Sequence, residues 1–231
     1  MLHLDHLLLT EPGFSLHAEL KVERGARVAV IGPSGAGKST LLNAIAGFVA
    51  PSGGCVRWAG ADLTGLPPGD RPLTILFQDQ NLFPHLTVAQ NLGLGLSPRL
   101  RLGAEDHRAI DAALDRVGLS GLGPRRPAQL SGGQQGRAAL ARALLRKRPM
   151  LLLDEPFAAL GPALKADMLD LVAEVAAETG ATVLMVTHDP ADAKRFAEQT
   201  VLVADGIAEK PRETAALFEN PPQALRDYLG T

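Results

Sequence analysis

The chain has 231 residues, of which 46% are hydrophobic and 21% are charged, and its formal net charge is -2. This balance is typical of a soluble globular protein with one large domain, or one domain that carries an inserted lobe. The charge gives no indication of a nucleic-acid surface, and no apolar run approaches the roughly 18 residues of a membrane span. A single cysteine, Cys55, excludes an internal disulfide and favours a reducing compartment.

Short apolar runs bounded by turn residues predict buried strands. In chain order the predicted strands are Arg27 to Ile31, Leu73 to Phe77, Met150 to Leu153, Thr182 to Val186 and Thr200 to Ala204. Helices are predicted at 38–46, which Gly47 follows, and at 162–179, which begins with proline and stops at Gly180. Strands that alternate with helices favour a mostly parallel sheet covered on both faces.

The middle of the chain differs, because from Pro84 to Lys147 it carries helical patterns and almost no strand pattern. Thr87 and Gln90 have the spacing of a capping box, and further helices are predicted at 104–117 and 134–148. We therefore predict one domain, in which residues 84–148 form an inserted helical lobe. Residues 1–83 and 149–231 then form an α/β core, which ends in a short helix at 222–229.

Residues 32–39 fit the pattern G-x-x-x-x-G-K-[ST] in full. The pattern lies between a predicted strand and a predicted helix, a context that favours a phosphate-binding loop over a plain glycine-rich turn. Backbone N–H groups and the helix N-terminus are expected to face phosphate oxygens, while the Lys38 ammonium neutralises the outer phosphates. The predicted nucleotide-binding residues are Gly32, Pro33, Ser34, Gly35, Ala36, Gly37, Lys38, Ser39 and Thr40.

Polar side chains follow several of the predicted strands, where ligands bind in sheets of this kind. Asp154 is expected to lie near Mg²⁺ together with the Ser39 hydroxyl, and Glu155 to act as general base on an attacking water. Gln78 can orient water or Mg²⁺ through its amide oxygen, and His188 can donate to a terminal phosphate. Each residue alone also fits a structural role at a strand end, but together they predict a catalytic site at one edge of the sheet.

A second glycine-rich turn, LSGGQQGR, occupies residues 130–137 and opens another predicted helix. It is a plausible anion site at a helix N-terminus, but it has no lysine with which to bind Mg·ATP alone. Such a loop can complete another site, and the residues themselves leave open whether that site lies on the same chain.

These motifs, taken in order, resemble those of the ATP-binding cassette (ABC) ATPases over nearly the whole chain. GPSGAGKST resembles the Walker A motif, the glutamine of FQDQNLFPHLTVAQNL the Q-loop, LSGGQ the signature motif, MLLLDEP the Walker B motif with its catalytic glutamate, and VTHD the switch histidine. The resemblance implies a P-loop NTPase (RecA-like) core with a mostly parallel sheet, an N-terminal antiparallel β portion and an inserted helical lobe.

The same resemblance implies ATP and Mg²⁺ as cofactors and a homodimer of cassettes that pack head to tail when ATP is bound. Each ATP then lies between the phosphate loop of one chain and the signature loop of the other, in an isologous interface. The signature residues implied to contact the nucleotide are Ser131, Gly132, Gly133 and Gln134. The catalytic residues implied are Glu155, His188 and Gln78, and the implied metal-site residues are Ser39, Gln78 and Asp154.

Within the family, stretches such as NLFPHLTVAQNLGLGL and GDRPLTILFQ are most similar to importer ATPases that serve thiamine uptake. That similarity implies a membrane permease contacted near Asp79 to Pro84, a periplasmic solute-binding protein, no nucleic acid, and a place on the cytoplasmic face of the inner membrane. The alternatives are an importer ATPase for iron(III) or polyamine, an exporter ATPase, and an ABC ATPase with no transport role. A P-loop kinase or GTPase is disfavoured, because LSGGQ has no use there and the N-K-x-D base reader of GTPases is not found.

Three departures from the family pattern are visible. Residues 1–13 contain no aromatic side chain that could stack on adenine, and Phe14, in the alternating run FSLHAEL, is predicted to be a core residue. Gly136 follows the signature where the family often has glutamine or arginine. After the catalytic acid, Ala158 and Gly161 replace the serine and aspartate of the family's S-A-L-D motif, and Gly161 is predicted to be a helix N-cap.

Overall fold

The computed structural model describes residues 1–77, 82–158 and 160–230. Its strands are β1 (Leu2–Glu11), β2 (Phe14–Val22), β3 (Arg27–Ile31), β4 (Gly53–Trp58), β5 (Ala61–Asp62), β6 (Leu73–Leu76), β7 (Met150–Asp154), β8 (Thr182–Val186), β9 (Gln199–Ala204), β10 (Ile207–Ala208) and β11 (Arg212–Glu213). Its α-helices are α1 (Lys38–Ala46), α2 (Val88–Gly93), α3 (Ala104–Arg116), α4 (Gly132–Leu145), α5 (Pro162–Thr179), α6 (Pro190–Phe196), α7 (Thr214–Glu219) and α8 (Gln223–Leu229).

The strands of the described ranges form one mixed sheet in the order β5-β4-β1-β2-β10-β9-β3-β8-β7-β6, with β11 paired to β9. Strands β9, β3, β8, β7 and β6 are parallel neighbours and make up its centre. The N-terminal strands β1 and β2 pair antiparallel, as do β1 and β4. This confirms the predicted α/β class, with a parallel core beside an antiparallel N-terminal portion.

Alternate residues of the central strands enter two separate apolar cores, one on each face of the sheet, as the period-2 geometry of a strand requires. Ala29 and Ile31 of β3 enter the first core, which the buried faces of α4, α5 and α6 cover. Val28 and Val30 enter the second core, which α1 covers. The continuous apolar runs that predicted buried strands are therefore explained by burial on both faces.

Residues between β6 and β7 form helices α2, α3 and α4, which contact one another. Thr87 and Gln90 make the predicted capping box, with each backbone N–H donating to the other residue's side chain. Helix α4 begins at Gly132 and ends at Leu145, not at 134 and 148 as predicted. Ser131 and Gln134 cap its first turn, so that the glycine pair is helical. After the C-cap Arg146, the chain leaves the helix at Lys147, whose φ is 47°. The boundaries of core and lobe at residues 83/84 and 148/149 stay a prediction.

One buried arginine holds the C-terminal end of α1. Arg71, which is 2% exposed, donates from Nη1 to the carbonyl oxygens of Ala44 and Ile45, both at 2.8 Å. It also donates to the carbonyl oxygens of Thr64 and Leu66. The last carbonyls of a helix have no partner within the helix, so this guanidinium fixes the end of the helix whose beginning is the predicted phosphate loop.

Within the parts of the chain that are described, no helix has both the length and the apolarity needed to cross a membrane.

Candidate nucleotide site

The predicted phosphate loop joins β3 to α1 at the centre of the sheet. Gly32 has a φ of 149°, and a Cβ there would lie 2.0 Å from the carbonyl oxygen of Val203. Because a side chain has no room beside this backbone, the first glycine of the motif is required by packing. Lys38 curls back over the loop, and its Nζ donates to the carbonyl oxygens of Gly32 and Pro33, both at 2.8 Å.

The Lys38 ammonium is buried and lies near two carboxylates. Burial lowers the pKa of its ammonium, while the carboxylates of Glu155 and Asp154 act in the opposite direction. A desolvated cation that donates to uncharged backbone carbonyls is a strong binder of an anion. Its position therefore matches the role predicted for it, neutralisation of the outer phosphates.

Asp154, the last residue of β7, accepts a hydrogen bond from Ser39 Oγ at 3.0 Å. Burial raises the pKa of its carboxyl, the hydrogen bond from Ser39 opposes that rise, and Glu155 adds to it. A hydroxyl and a carboxylate that touch at the mouth of a phosphate loop are the hard oxygen donors that Mg²⁺ prefers. Ser39 and Asp154 therefore fit the predicted metal site, whereas Gln78 lies outside the described residues.

Glu155 follows β7 and has a φ of 46°, a conformation that costs a residue other than glycine energy and often occurs at functional sites. Its N–H donates to the carbonyl oxygen of Val186 at 3.2 Å, which fixes the turn after the strand. Its Oε2 lies 3.0 Å from Nδ1 of His188. A carboxylate can only accept, so the imidazole donates from Nδ1 and the two predicted catalytic residues form a pair.

The loop that carries His188 is held by a polar network that the sequence did not predict. Lys165 of α5 donates from Nζ to Asp189 at 2.8 Å and lies 2.8 Å from a carboxylate oxygen of Asp192. Burial alone would lower the pKa of Lys165, but its hydrogen bonds with these two acids outweigh burial and raise it. Thr187 Oγ1 donates to Asp192 at 2.8 Å, so both sides of the loop are tied to helices.

A cavity of about 250 Å³ lies over the phosphate loop. Besides loop residues and Glu155, it is lined by Glu11 and by Phe14, whose ring packs on the backbone of Gly37. A Cβ on Gly37 would lie 2.4 Å from Phe14 Cζ. Phe14 also packs against the second core, as predicted, so its ring contacts both the core and the cavity. It is the aromatic side chain at the mouth of this cavity, a position that the alternating pattern of β2 could not reveal.

The signature loop lies at the start of α4, within the helical part of the chain. Ser131 and Gln134 bond reciprocally in a capping box, and a Cβ on Gly133 would meet Leu160 at 3.1 Å. Among the described residues that line the cavity over the phosphate loop, there is no signature residue. Lys38, Ser39 and Glu155 line this cavity, and hydrogen bonds join Asp154 to Ser39 and His188 to Glu155. The signature loop lies outside the cavity.

Comparisons with known proteins identify the family of the chain. Residues 16–158 match the family described as ABC transporter. The chain is 69% identical over 230 residues to the thiamine import ATP-binding protein ThiQ of Cereibacter sphaeroides and 57% identical over 230 residues to the protein of that name in Ruegeria sp., with 100% of both chains covered in each case. It is 48% identical over 229 residues to the protein of that name in Jannaschia sp., covering 99% of this chain and 100% of the relative.

A similar solved structure is described as the dimeric, post-hydrolysis state of the ATP-binding cassette MJ0796 bound to ADP and Pi. The TM-score is 0.82 at 31% identity, with 93% of this chain and 99% of that chain covered.

Proposed function

The chain belongs to the ABC transporter family, and from this premise we propose that it is the ATP-hydrolysing subunit of an importer for thiamine or a thiamine phosphate. The observation that carries the proposal is the full-length identity of 48–69% to thiamine import ATP-binding proteins. ATP hydrolysis is the activity of the family's ATP-binding proteins.

Binding of ATP is assigned to the phosphate loop. Lys38 would exchange its two carbonyl partners for the outer phosphates, and the N-terminus of α1 would direct backbone N–H groups at them. Ser39 and Asp154 would hold Mg²⁺, which supplies charge neutralisation for the transferred phosphoryl group. Gln78 is proposed as a third contributor to that site.

Hydrolysis is assigned to Glu155 and His188. The Glu155 carboxylate would accept a proton from the attacking water, because phosphoryl transfer needs mainly a positioned nucleophile. The contact between Glu155 and Nδ1 of His188 fixes both side chains before the reaction. The second ring nitrogen, Nε2, is then proposed to donate to the terminal phosphate, which requires the doubly protonated imidazolium form of His188 because Nδ1 already donates to Glu155.

We assign completion of the site to a second copy of the chain. The residues Ser131, Gly132, Gly133 and Gln134 would contact the nucleotide of the partner, and the same exchange in reverse makes the interface isologous. Two observations support this arrangement: the signature loop lies outside its own chain's cavity, and the similar cassette structure is a dimer.

The membrane permease is proposed to bind near Asp79 to Pro84, of which Asp79 to Asn81 lie outside the described residues. Leu82 packs against the first core, whereas Phe83 is 46% exposed. Phe83 lines a cleft of about 730 Å³ together with Arg142 and Arg146. An exposed aromatic beside an open cleft is suited to a partner segment, and this docking would place the subunit at the cytoplasmic face of the inner membrane.

The test is reconstitution in liposomes with the permease and the solute-binding protein encoded beside this chain. Thiamine-loaded binding protein should stimulate ATP turnover and drive thiamine uptake, and Lys38→Ala should abolish both without unfolding the chain. Stimulation by iron(III)-loaded or polyamine-loaded binding protein instead would show that the substrate is not thiamine, while the proposed role in import would stand. ATP-driven export would refute import, and turnover with no membrane partner in a pull-down would favour an ABC ATPase without a transport role.

A further inference from the structure

The C-terminal helix reaches the catalytic loop through the only tyrosine of the chain. Tyr228 of α8 donates from its hydroxyl to the carbonyl oxygen of His188 at 2.6 Å. Its ring packs against the first core, and Leu225 on the same helix is fully buried there. The helix is therefore anchored by apolar contacts, and the hydroxyl is presented to the loop from a fixed support.

The bond from Tyr228 acts on one peptide unit, the amide between His188 and Asp189. The carbonyl oxygen of this amide accepts from Tyr228, and its N–H donates to Thr187 Oγ1 at 3.0 Å. Both polar groups of the peptide are thus occupied, so that its plane cannot rotate without loss of a hydrogen bond. The direction in which the His188 side chain leaves the backbone depends on that plane.

We propose that Tyr228 is a positioning residue for ATP hydrolysis, which holds the peptide plane at His188 so that the imidazole keeps its contact with Glu155. This inference rests on the proposed function, since it assigns Tyr228 a part in the same reaction. Burial, together with the negative charges of Glu155 and Asp189, raises the pKa of the Tyr228 phenol. The hydroxyl therefore stays protonated and remains a donor.

The variant Tyr228→Phe removes the hydroxyl and keeps the ring in the core. Gln223→Ala is the matched control, because Gln223 lies on the same helix and its side chain bonds to the exposed Arg226 and Asp227 of that helix. We expect kcat for ATP to fall about 3- to 10-fold in Tyr228→Phe, the loss that one hydrogen bond allows. KM for ATP and the melting temperature should stay near those of the control.

A double variant separates positioning from simple support of the fold. If Tyr228 acts through His188, then Tyr228→Phe should cause no further loss of turnover in a chain that already carries His188→Ala. An equal fold-loss in both backgrounds, or a rise in KM with kcat unchanged, would overturn the proposal.

Hydrogen–deuterium exchange in residues 187–192 gives a readout that needs no turnover. Exchange there should be faster in Tyr228→Phe than in Gln223→Ala, because one restraint on the loop is gone. Unchanged exchange overturns the role of Tyr228. Absence of ATP turnover in the unaltered chain would instead count against the proposed function, so the two failures are distinguishable.

Discussion

Nδ1 of His188 lies 3.0 Å from Oε2 of Glu155, although the two residues are separated by a strand and a long helix in the chain. The pairing follows from the register of β7 and β8, in which Asp154 lies opposite Val186. Glu155 comes one residue after Asp154, and His188 comes two residues after Val186, so both lie at the carboxyl edge of the parallel sheet. The proposed general base, Glu155, and its partner His188 are therefore placed by strand register and not by loop conformation alone.

The first prediction concerns Glu155→Gln, which keeps the size and the hydrogen-bonding capacity of the side chain but cannot accept a proton from water. We expect kcat for ATP to fall about 10²- to 10⁴-fold, the usual cost of a lost general base. ATP binding should persist, so that ATP holds two chains together. Size exclusion with light scattering checks this outcome, with Lys38→Ala as the control that should stay monomeric. Turnover within threefold of the unaltered chain would contradict the role of Glu155.

Long buried elements are predictable from this sequence because apolar runs and end signals agree. Strands β3 and β8 and helices α1 and α5 have the bounds that the patterns predict. The family resemblance implied an N-terminal antiparallel portion, but the patterns gave no bounds for strand β1, because a register shift between Leu4 and Leu7 interrupts the alternation of its buried leucines. Helix α6 has only seven residues, too short for periodicity, although Asp189 as N-cap before Pro190 is a start signal that could have indicated it.

The second prediction concerns the support of the phosphate-loop helix. Arg71→Met keeps an apolar stem but removes the donors to the carbonyls of Ala44, Ile45, Thr64 and Leu66. We expect a loss of about 2–4 kcal/mol in the free energy of unfolding, because the buried carbonyls of Ala44 and Ile45 lose their charged donor.

Thermal or urea unfolding measures the effect of Arg71→Met. The matched control is Arg57→Ala, since the ion pair of Arg57 with Asp5 at 3.5 Å is partly exposed and such pairs are worth about 0–1 kcal/mol. Similar small effects for both arginines would show that the end of α1 is held by other contacts.

The third prediction concerns Phe14. Its ring lines the cavity over the phosphate loop, so we expect it to contact the base or sugar of the nucleotide. Phe14→Ala should weaken ATP binding about tenfold, consistent with the loss of one aromatic contact, while affinity for tripolyphosphate changes little. Calorimetric titration with both ligands makes the comparison, and Phe48→Ala, at an exposed phenylalanine away from this cavity, serves as control. Equal weakening for both ligands would mean that Phe14 supports the loop backbone instead.

The fourth prediction concerns the cleft beside Phe83. The ring is exposed and the guanidinium of Arg142 lies 6.0 Å from its centroid. Phe83→Ala should weaken binding to the permease about tenfold, in the range found when a central aromatic anchor is truncated. Co-purification and surface binding with detergent-solubilised permease measure this, with Ile207→Ala, an exposed apolar residue of β10, as control. Unchanged permease affinity in Phe83→Ala would place the contact elsewhere.

Motif spacing predicts which residues lie at the candidate nucleotide site better than it predicts which contacts hold them there. Lys38, Ser39 and Asp154 occupy the positions expected of them because the phosphate loop and the strand end are local patterns. The supports Lys165, Arg71 and Tyr228 come from distant segments, and each bonds mainly to backbone carbonyls or to acids of another element. Such contacts depend on tertiary packing, so a single sequence carries no signal for them.

The last prediction concerns Gly161, which takes the place of the aspartate in the S-A-L-D motif of the family. It is the N-cap of α5, with extended backbone angles of −65° and 157°, no side-chain cap, and open space where a Cβ would stand. Gly161→Asp is therefore compatible with the backbone, and we expect it to stabilise the chain by only a few tenths of a kcal/mol through capping. If the family's aspartate reaches across the dimer, the same substitution should also raise turnover several-fold or raise its Hill coefficient.

Gly161→Ala is the control, since it adds a Cβ without a carboxylate and should raise neither. A higher melting temperature with unchanged turnover and cooperativity would mean that position 161 is only a helix cap in this protein.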